Sequence, residues 1–303
     1  MNTFMIGQYG SFDFTKFHRD FRNNFYGIEA CLFEQEQDML NLIHESRRGG
    51  FQVGIHFPLR AGAYPLRDAL FLSQNDATRQ QAFASVEEEL EYATAVQPNY
   101  ILFHYPKPVI LDDRVDWALW YFEDRREYVY ESELSFEQFQ EKSEFLFEWL
   151  SAKGKAYAFI PVLELDALNP YTYETDFLES LLQRYPNIRL CLDTSRLYLQ
   201  ECIDPNFNSR AIIRRYAPYA HLLHLSNIKV TDRIEQKKFP VLPDLSPDDG
   251  WAPIEDYLLI IKEENPNIKI MFEHRSQLIS DEQLEACYQW VAQILTTESS
   301  LKC

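Results

Sequence analysis

Glycine is scarce: only nine occur in 303 residues, and none form G-x-G-x-x-G after a strand. A dinucleotide fold needs those glycines where the backbone approaches a pyrophosphate, so that class loses its main support. The phosphate loop fails too, because Gly49 and Gly54 have the outer spacing but Ile55-His56 follows instead of Lys and Ser or Thr. Neither G-x-S-x-G nor H-E-x-x-H occurs; His44-Glu45 is followed by Ser-Arg-Arg. Positive charge is short as well, with 29 Lys+Arg against 47 Asp+Glu and a formal net charge of −18. Such a surface repels phosphate backbones and anionic membranes, which disfavours nucleic acid without excluding a local basic cleft. The five cysteines (Cys31, Cys191, Cys202, Cys287, Cys303) are scattered and form no C-x-x-C. That pattern indicates neither a zinc ribbon nor a disulfide framework, and reduced thiols are expected. No run approaches the about 18 apolar residues of a membrane helix. The opening MNTFMIGQYG lacks the basic start and apolar run of a secretory leader. A cytoplasmic protein without a membrane partner is expected.

What is present is a core. A hydrophobic content of 46% and an aromatic content of 15% rule out a mainly disordered chain. Short β-rich apolar runs alternate with longer amphipathic ones. Eight strands are predicted: Thr3–Gly7, Tyr26–Leu32, Gln52–Phe57, Tyr100–Tyr105, Ala156–Glu164, Ile188–Asp193, His221–Ser226 and Ile268–Glu273. Several are nearly continuous apolar runs, as parallel strands buried on both faces require. Ser135-Phe-Glu-Gln138 and Ser280-Asp-Glu-Gln283 have the capping-box form that opens a helix. Trp251-Ala-Pro253 opens another through Glu264, while Tyr185-Pro and Asn265-Pro each stop one. Eight such units in one chain of this length predict an α/β protein, a single-domain (β/α)8 TIM barrel over residues 1–303. A doubly wound sheet is the alternative. Two segments exceed ordinary connections, at about 60–77 and 106–134, and both follow strands, which places them on the C-terminal rim. The second carries Trp117, Trp120, Tyr121, Phe122, Tyr128 and Tyr130, read as rim packing or as an aromatic lid over a small ligand. Residues 296–303 read as a frayed tail, and Glu87-Glu88-Glu89 with Glu91 as a solvated helix face.

Chemistry gathers at the strand ends. Strand two carries Glu29, three ends at His56, four at His104, five at Glu164 and six at Asp193; seven includes His224, and eight ends at Glu273. Each alone has a bland reading: a hydrogen-bonded core histidine, or a carboxylate capping the next helix, as Asp193 could. Together they demand compensation, because a carboxylate buried without a partner costs several kcal/mol. In a barrel, the last four strands would present two Glu, one Asp and one His around one mouth. That set suits a divalent metal ion, with Mn, Mg, Co or Zn all open.

The ordered motifs GIEACLF, HFPL, FHYP, LELD, LDTSRL, HLSN and FEHR resemble those of the xylose isomerase-like barrel superfamily. That superfamily includes sugar phosphate isomerases/epimerases, ketose 3-epimerases and endonuclease IV, and the resemblance runs from Glu29 to Glu273. It implies a metal held by Glu164, Asp193, His224 and Glu273. It also implies that Glu164 and Glu273 exchange a proton with the carbon beside a carbonyl, through an enediolate. His56 and His104 are implied to contact substrate or a further metal. The chain departs from the family at two motifs: Asp193-Thr194-Ser195-Arg196 replaces Asp-Thr-x-His, and His224-Leu225-Ser226-Asn227 replaces His-x-Lys-Asp. No Asp-x-His pair lies around Lys237-Lys238-Phe239-Pro240, so a trinuclear endonuclease cluster is incomplete. Arg196 cannot ligate a metal, but its fork suits an anionic or polyhydroxy substrate, or else a rim carboxylate. Arg60, Lys107 and Arg275 could supplement it or face solvent, and Glu29 could touch substrate or form a structural ion pair.

The expected function is therefore that of a metal-dependent sugar or sugar phosphate isomerase or epimerase acting on a small molecule. An endonuclease IV-like phosphodiester hydrolase and a catalytically altered sugar-binding barrel are the alternatives. Inositol-type dehydration also falls within the resemblance, and a homo-oligomer remains open.

Overall fold

Along a β-strand successive side chains point to opposite faces, so a buried parallel barrel needs two separate apolar sets from each strand. The structure, a computed structural model, describes residues 1–297. Its barrel strands are β1 (Phe4–Tyr9), β2 (Gly27–Cys31), β3 (Gln52–His56), β4 (Tyr100–Tyr105), β5 (Ile160–Leu165), β6 (Arg189–Asp193), β7 (Ala220–Leu225) and β8 (Lys269–Phe272). They close in sequence order, β8 returning to β1, and every pair is parallel. Helices fill the crossovers, among them Glu36–Gly49, Asp76–Ala93, Phe136–Ala156, Phe177–Arg184, Ile254–Glu264 and Asp281–Thr296. This is the (β/α)8 barrel expected from the sequence, and the doubly wound alternative falls because the sheet closes.

The two faces divide the apolar residues cleanly. Ile28, Val53, Ile55, Ile101, Phe103, Leu163, Leu190, Leu192, Leu223 and Ile270 join the large core beneath the helices. Met5, Tyr100, Leu102, Val162, Cys191, Leu222 and Met271 form a separate buried plug. Two residues beyond a plug residue lies the same face one layer higher. Counting on from Leu102, Val162, Cys191, Leu222 and Met271 therefore reaches His104, Glu164, Asp193, His224 and Glu273.

Local signals set most boundaries. Ser135 and Ser280 each make the expected capping box, with Gln138 and Gln283 reaching back to the cap backbone at 3.1 and 3.0 Å. One boundary differs. The fifth strand was expected from Ala156, but the helix Phe136–Ala156 runs to that residue. A turn with Ala158 at φ 57° then delays β5 to Ile160. Of the expected tail at 296–303, Thr296 closes the last helix and Thr297 caps it, and residues 298–303, Cys303 among them, lie outside the described residues. The described cysteines form no disulfide, and among the described residues no helix is long and apolar enough to cross a membrane.

Gly54 shows why some of the few glycines are where they are. The Tyr100 ring lies where a Cβ on Gly54 would stand, and its hydroxyl donates to Glu29 Oε2 at 2.8 Å. A side chain there must displace a fully buried ring from the plug. Gly54→Ala is expected to destabilise the protein by about 1–3 kcal/mol, as overpacked cores do, read as an earlier midpoint in urea unfolding. An unchanged midpoint would show that the ring has somewhere else to go.

Candidate metal centre at the barrel mouth

The pleat places Glu164, Asp193, His224 and Glu273 on the inner face above the plug, all 9% exposed or less. Register sets neighbours: Asp193 pairs with His224 across β6 and β7, and His104 with Glu164 across β4 and β5. Asp193 is divided between two tasks. Its Oδ1 caps the helix Thr194–Ile203, accepting from Ser195 and Arg196 N–H groups at 2.7 and 3.0 Å. Its Oδ2 is left without a hydrogen bond.

The same is true of one atom on each of the other three. Glu164 Oε2, His224 Nδ1 and Glu273 Oε2 are buried and make no well-aligned hydrogen bond, the charged contact of Glu164 Oε2 being His104 Nε2 at 3.2 Å. His224 Nδ1 stands 3.5 Å from both Glu164 Oε1 and Glu273 Oε2. Ligand atoms of Glu164, Asp193 and His224 converge within 4.8 Å of one another. Buried polar atoms are ordinarily paired, so the converging Glu164, Asp193 and His224, with Glu273 Oε2 3.5 Å from His224 Nδ1, fit a divalent cation. The far side of His224 is fixed, with Nε2 3.1 Å from Glu29 Oε2. Glu29 is fully buried and also accepts from Tyr9 and Tyr100, so it orients the imidazole as metal-ligating histidines require.

A ring of alternating charge adjoins this centre. His104 Nε2 lies 3.2 Å from Glu164 Oε2, and its Nδ1 lies 2.9 Å from Asp68 Oδ2. Lys107 Nζ lies 2.8 Å from Asp68 and 3.0 Å from Asp166. Arg196 closes the ring, its Nη1 2.6 Å from Asp166 and its Nε 3.3 Å from Glu164. Burial works against the charged forms, but these partners prevail. Lys107 and His104 are raised, the latter above its ordinary 6.5 by Asp68 and Glu164, while Asp166 and Glu164 are lowered. Asp193 is the exception, because burial raises it to about 6 despite the opposing charge of Lys238.

Of the expected substrate contacts, His56 and His104 face each other, Nε2 to Nε2, at 3.1 Å. Arg196 is engaged in the internal ion pairs just described. Lys107 joins the site network, but Arg60 does not: it pairs with Glu88 and Glu89 on the helix Asp76–Ala93 at 3.0 and 2.9 Å. Arg275 is exposed. The solvated reading of Glu89 is corrected, since it is 2% exposed and accepts from the Leu59 N–H at 2.8 Å. In the second rim segment Trp117 and Trp120 pack edge to face at 5.8 Å, while Tyr121 is 72% exposed. Sequence reasoning missed Asp68, Asp166 and Lys238. Asp166 stood in the quoted LELD motif; Asp68 and Lys238 lie in segments without periodicity and carried no signal.

No family model and no curated protein matches the sequence. Solved structures do match the fold. A D-tagatose 3-epimerase-like protein superposes with a TM-score of 0.61 at 12% identity, covering 96% of this chain and 97% of its own. An IolI protein with a bound zinc atom gives 0.61 at 10% identity, covering 99% and 100%. A family 2 AP endonuclease from Brucella melitensis gives 0.52 at 17% identity, covering 96% and 98%. The chain thus has the fold of the xylose isomerase-like barrels, as its strand-end motifs implied.

His104 supplies a pH test. Its folded pKa is raised, so its ion pairs stabilise fully below the unfolded value of about 6.5. That contribution is lost as pH rises through the folded value. In chelator, His104→Gln is expected to lower stability by about 3–5 kcal/mol at pH 5.5, the usual effect of halving a buried pair. The gap from wild type should narrow at higher pH. A gap that widened with pH would show that His104 is neutral in the folded protein.

Proposed function

We propose that this protein is a divalent-metal-dependent isomerase or epimerase of a small sugar or sugar phosphate. The observation that carries this reading is the convergence of buried Glu164, Asp193 and His224 within 4.8 Å, with Glu273 Oε2 3.5 Å from His224 Nδ1 and one atom of each residue lacking a hydrogen bond. These residues would hold the cation, which supplies Lewis acidity toward carbonyl and hydroxyl oxygens. The similarity in fold to a D-tagatose 3-epimerase-like protein and to a zinc-bound IolI protein supports the same class.

The chain's own groups then do the following. Glu164 on β5 and Glu273 beyond β8 are separated around the ring by β6 and β7. One carboxylate takes the proton from the carbon next to the carbonyl, leaving an enediolate. The other, protonated, returns a proton to that carbon from its other face or to the neighbouring one. One proton is lost and one gained, with no change in oxidation state. His104, whose neighbours favour its protonated form, donates to a substrate oxygen, with His56 beside it. Arg196, its side chain 27% exposed, binds a hydroxyl or phosphate oxygen. Burial of the mouth limits water during the transfer, and the carboxyl protons equilibrate with solvent between turnovers.

A sugar-binding barrel without turnover is the second reading, favoured by the ion pairs that already engage Arg196 and Lys238. Phosphodiester hydrolysis has the fold of a family 2 AP endonuclease behind it and the −18 charge against it.

Metal content and solvent exchange test the proposal together. The purified protein should bind Mn, Co, Zn or Mg ions and exchange deuterium from D2O into a member of a ketose and cyclitol panel. Glu273→Gln should cut exchange by about 10²–10⁴-fold while sugar binding persists. Metal binding without exchange across the panel would favour the binding barrel, and a protein that takes up no divalent ion would end the metal mechanism.

A further inference from the structure

Lys238 reaches the metal centre from outside the barrel strands, and its backbone is shaped to do so. It lies on the hairpin formed by the strands Asn227–Val230 and Ile234–Phe239, which follows β7. Asn227 pairs with Phe239 and Lys229 with Gln236. One strand thus advances two residues while the other advances three, and the bulge contains Lys237 and Lys238. Bulges re-aim side chains at active-site rims. Lys238 also has a left-handed backbone at φ 51°, a conformation that a side chain adopts at a cost unless its surroundings hold it. The hold is visible: the Arg275 N–H, just past β8, donates to the Lys238 carbonyl at 2.8 Å.

The result is an ammonium placed against two of the four candidate ligands. Lys238 Nζ contacts Glu273 Oε1 and lies 3.9 Å from Asp193 Oδ2. Lys107 and Arg196 are locked between carboxylates of the alternating ring, whereas Lys238 is outside that ring. Its side chain is 38% exposed, so part of the stem faces solvent while the ammonium is enclosed by Glu273 and Asp193. Lys237, its neighbour in the bulge, makes no salt bridge among the described residues.

We infer that Lys238 is a tethered cation that holds Asp193 and Glu273 when the centre is empty and must withdraw before a divalent ion can bind them. Metal entry then exchanges one cation for another, and affinity is set by the hairpin as well as by the ligands. This rests on the proposed metal site, and the two can fail separately.

The test is calorimetric titration of Mn²⁺ into chelator-stripped wild type, Lys238→Met and Lys237→Met. Met keeps the stem and removes the charge. Lys238→Met is expected to bind Mn²⁺ at least tenfold more tightly than wild type, and Lys237→Met within twofold of it. Melting supplies a second readout: stripped Lys238→Met should melt below stripped wild type, and that deficit should vanish in saturating Mn²⁺. Tighter binding by Lys238→Met alone, with none by wild type, would uphold the tethered cation and overturn the metal-dependent function. Equal affinities, equal gains from both substitutions, or binding by neither protein would overturn the tethered cation.

Discussion

The mouth of this barrel depends on a closed ring in which negative and positive side chains alternate: Glu164, His104, Asp68, Lys107, Asp166, Arg196, and back to Glu164. Parallel strands stand about 4.8 Å apart, so carboxylates brought to neighbouring strand ends repel at short range in a region that water barely reaches. Each cation in the ring touches two carboxylates, and each carboxylate two cations. With His104 protonated the ring is neutral, and no member is left with an unpaired buried charge, the arrangement whose disruption costs most. Raised His104 and Lys107 and lowered Glu164 and Asp166 are one fact seen from opposite sides.

That ring also redefines Arg196. As a replacement for the family's histidine it looked free to bind an anion. In place, its guanidinium already serves Asp166 and Glu164, so any substrate oxygen must share it. A histidine here could ligate a further metal but could not bridge two carboxylates with a permanent charge. The altered Ser226 lies in the same region: Ser195 and Ser226 join hydroxyl to hydroxyl at 2.9 Å, and Thr194 donates to the Ser226 carbonyl at 2.7 Å. Ser226 is thus tied by hydrogen bonds to the start of the helix that follows β6.

What was legible in the sequence followed from strand periodicity. The barrel could be read because its strands are apolar on both faces, and Glu164, Asp193, His224 and Glu273 because each stands two residues beyond a plug residue. Residues whose placement depends on irregular backbone could not be read that way. Asp68 arrives from a long rim segment, and Lys238 from a bulge with left-handed φ. Glu89 failed for a different reason. Three successive glutamates on a helix look solvated as a group, yet the helix turns about 100° per residue, so the three point in different directions. Glu89 alone of the three is buried, facing the backbone of Leu59 and Arg60 after β3, a partner visible only once the strand and helix are placed together.

The net charge of −18 therefore says little about the site itself. Excess negative charge is spread over the surface, whereas the mouth concentrates Lys107, Arg196 and Lys238 beside its carboxylates. An all-carboxylate centre would bind a divalent ion strongly and hold it through Coulomb attraction alone. Here three ligand carboxylates already face two permanent cations from the chain, Arg196 and Lys238. With Lys238 withdrawn, a divalent ion would meet candidate ligands whose charge only Arg196 still offsets, so its affinity would depend on that exchange of cations as well as on coordination. On the proposed reading, the local arrangement of Glu164, Asp193, His224, Glu273 and Lys238, more than the protein's overall acidity, would decide whether the centre fills.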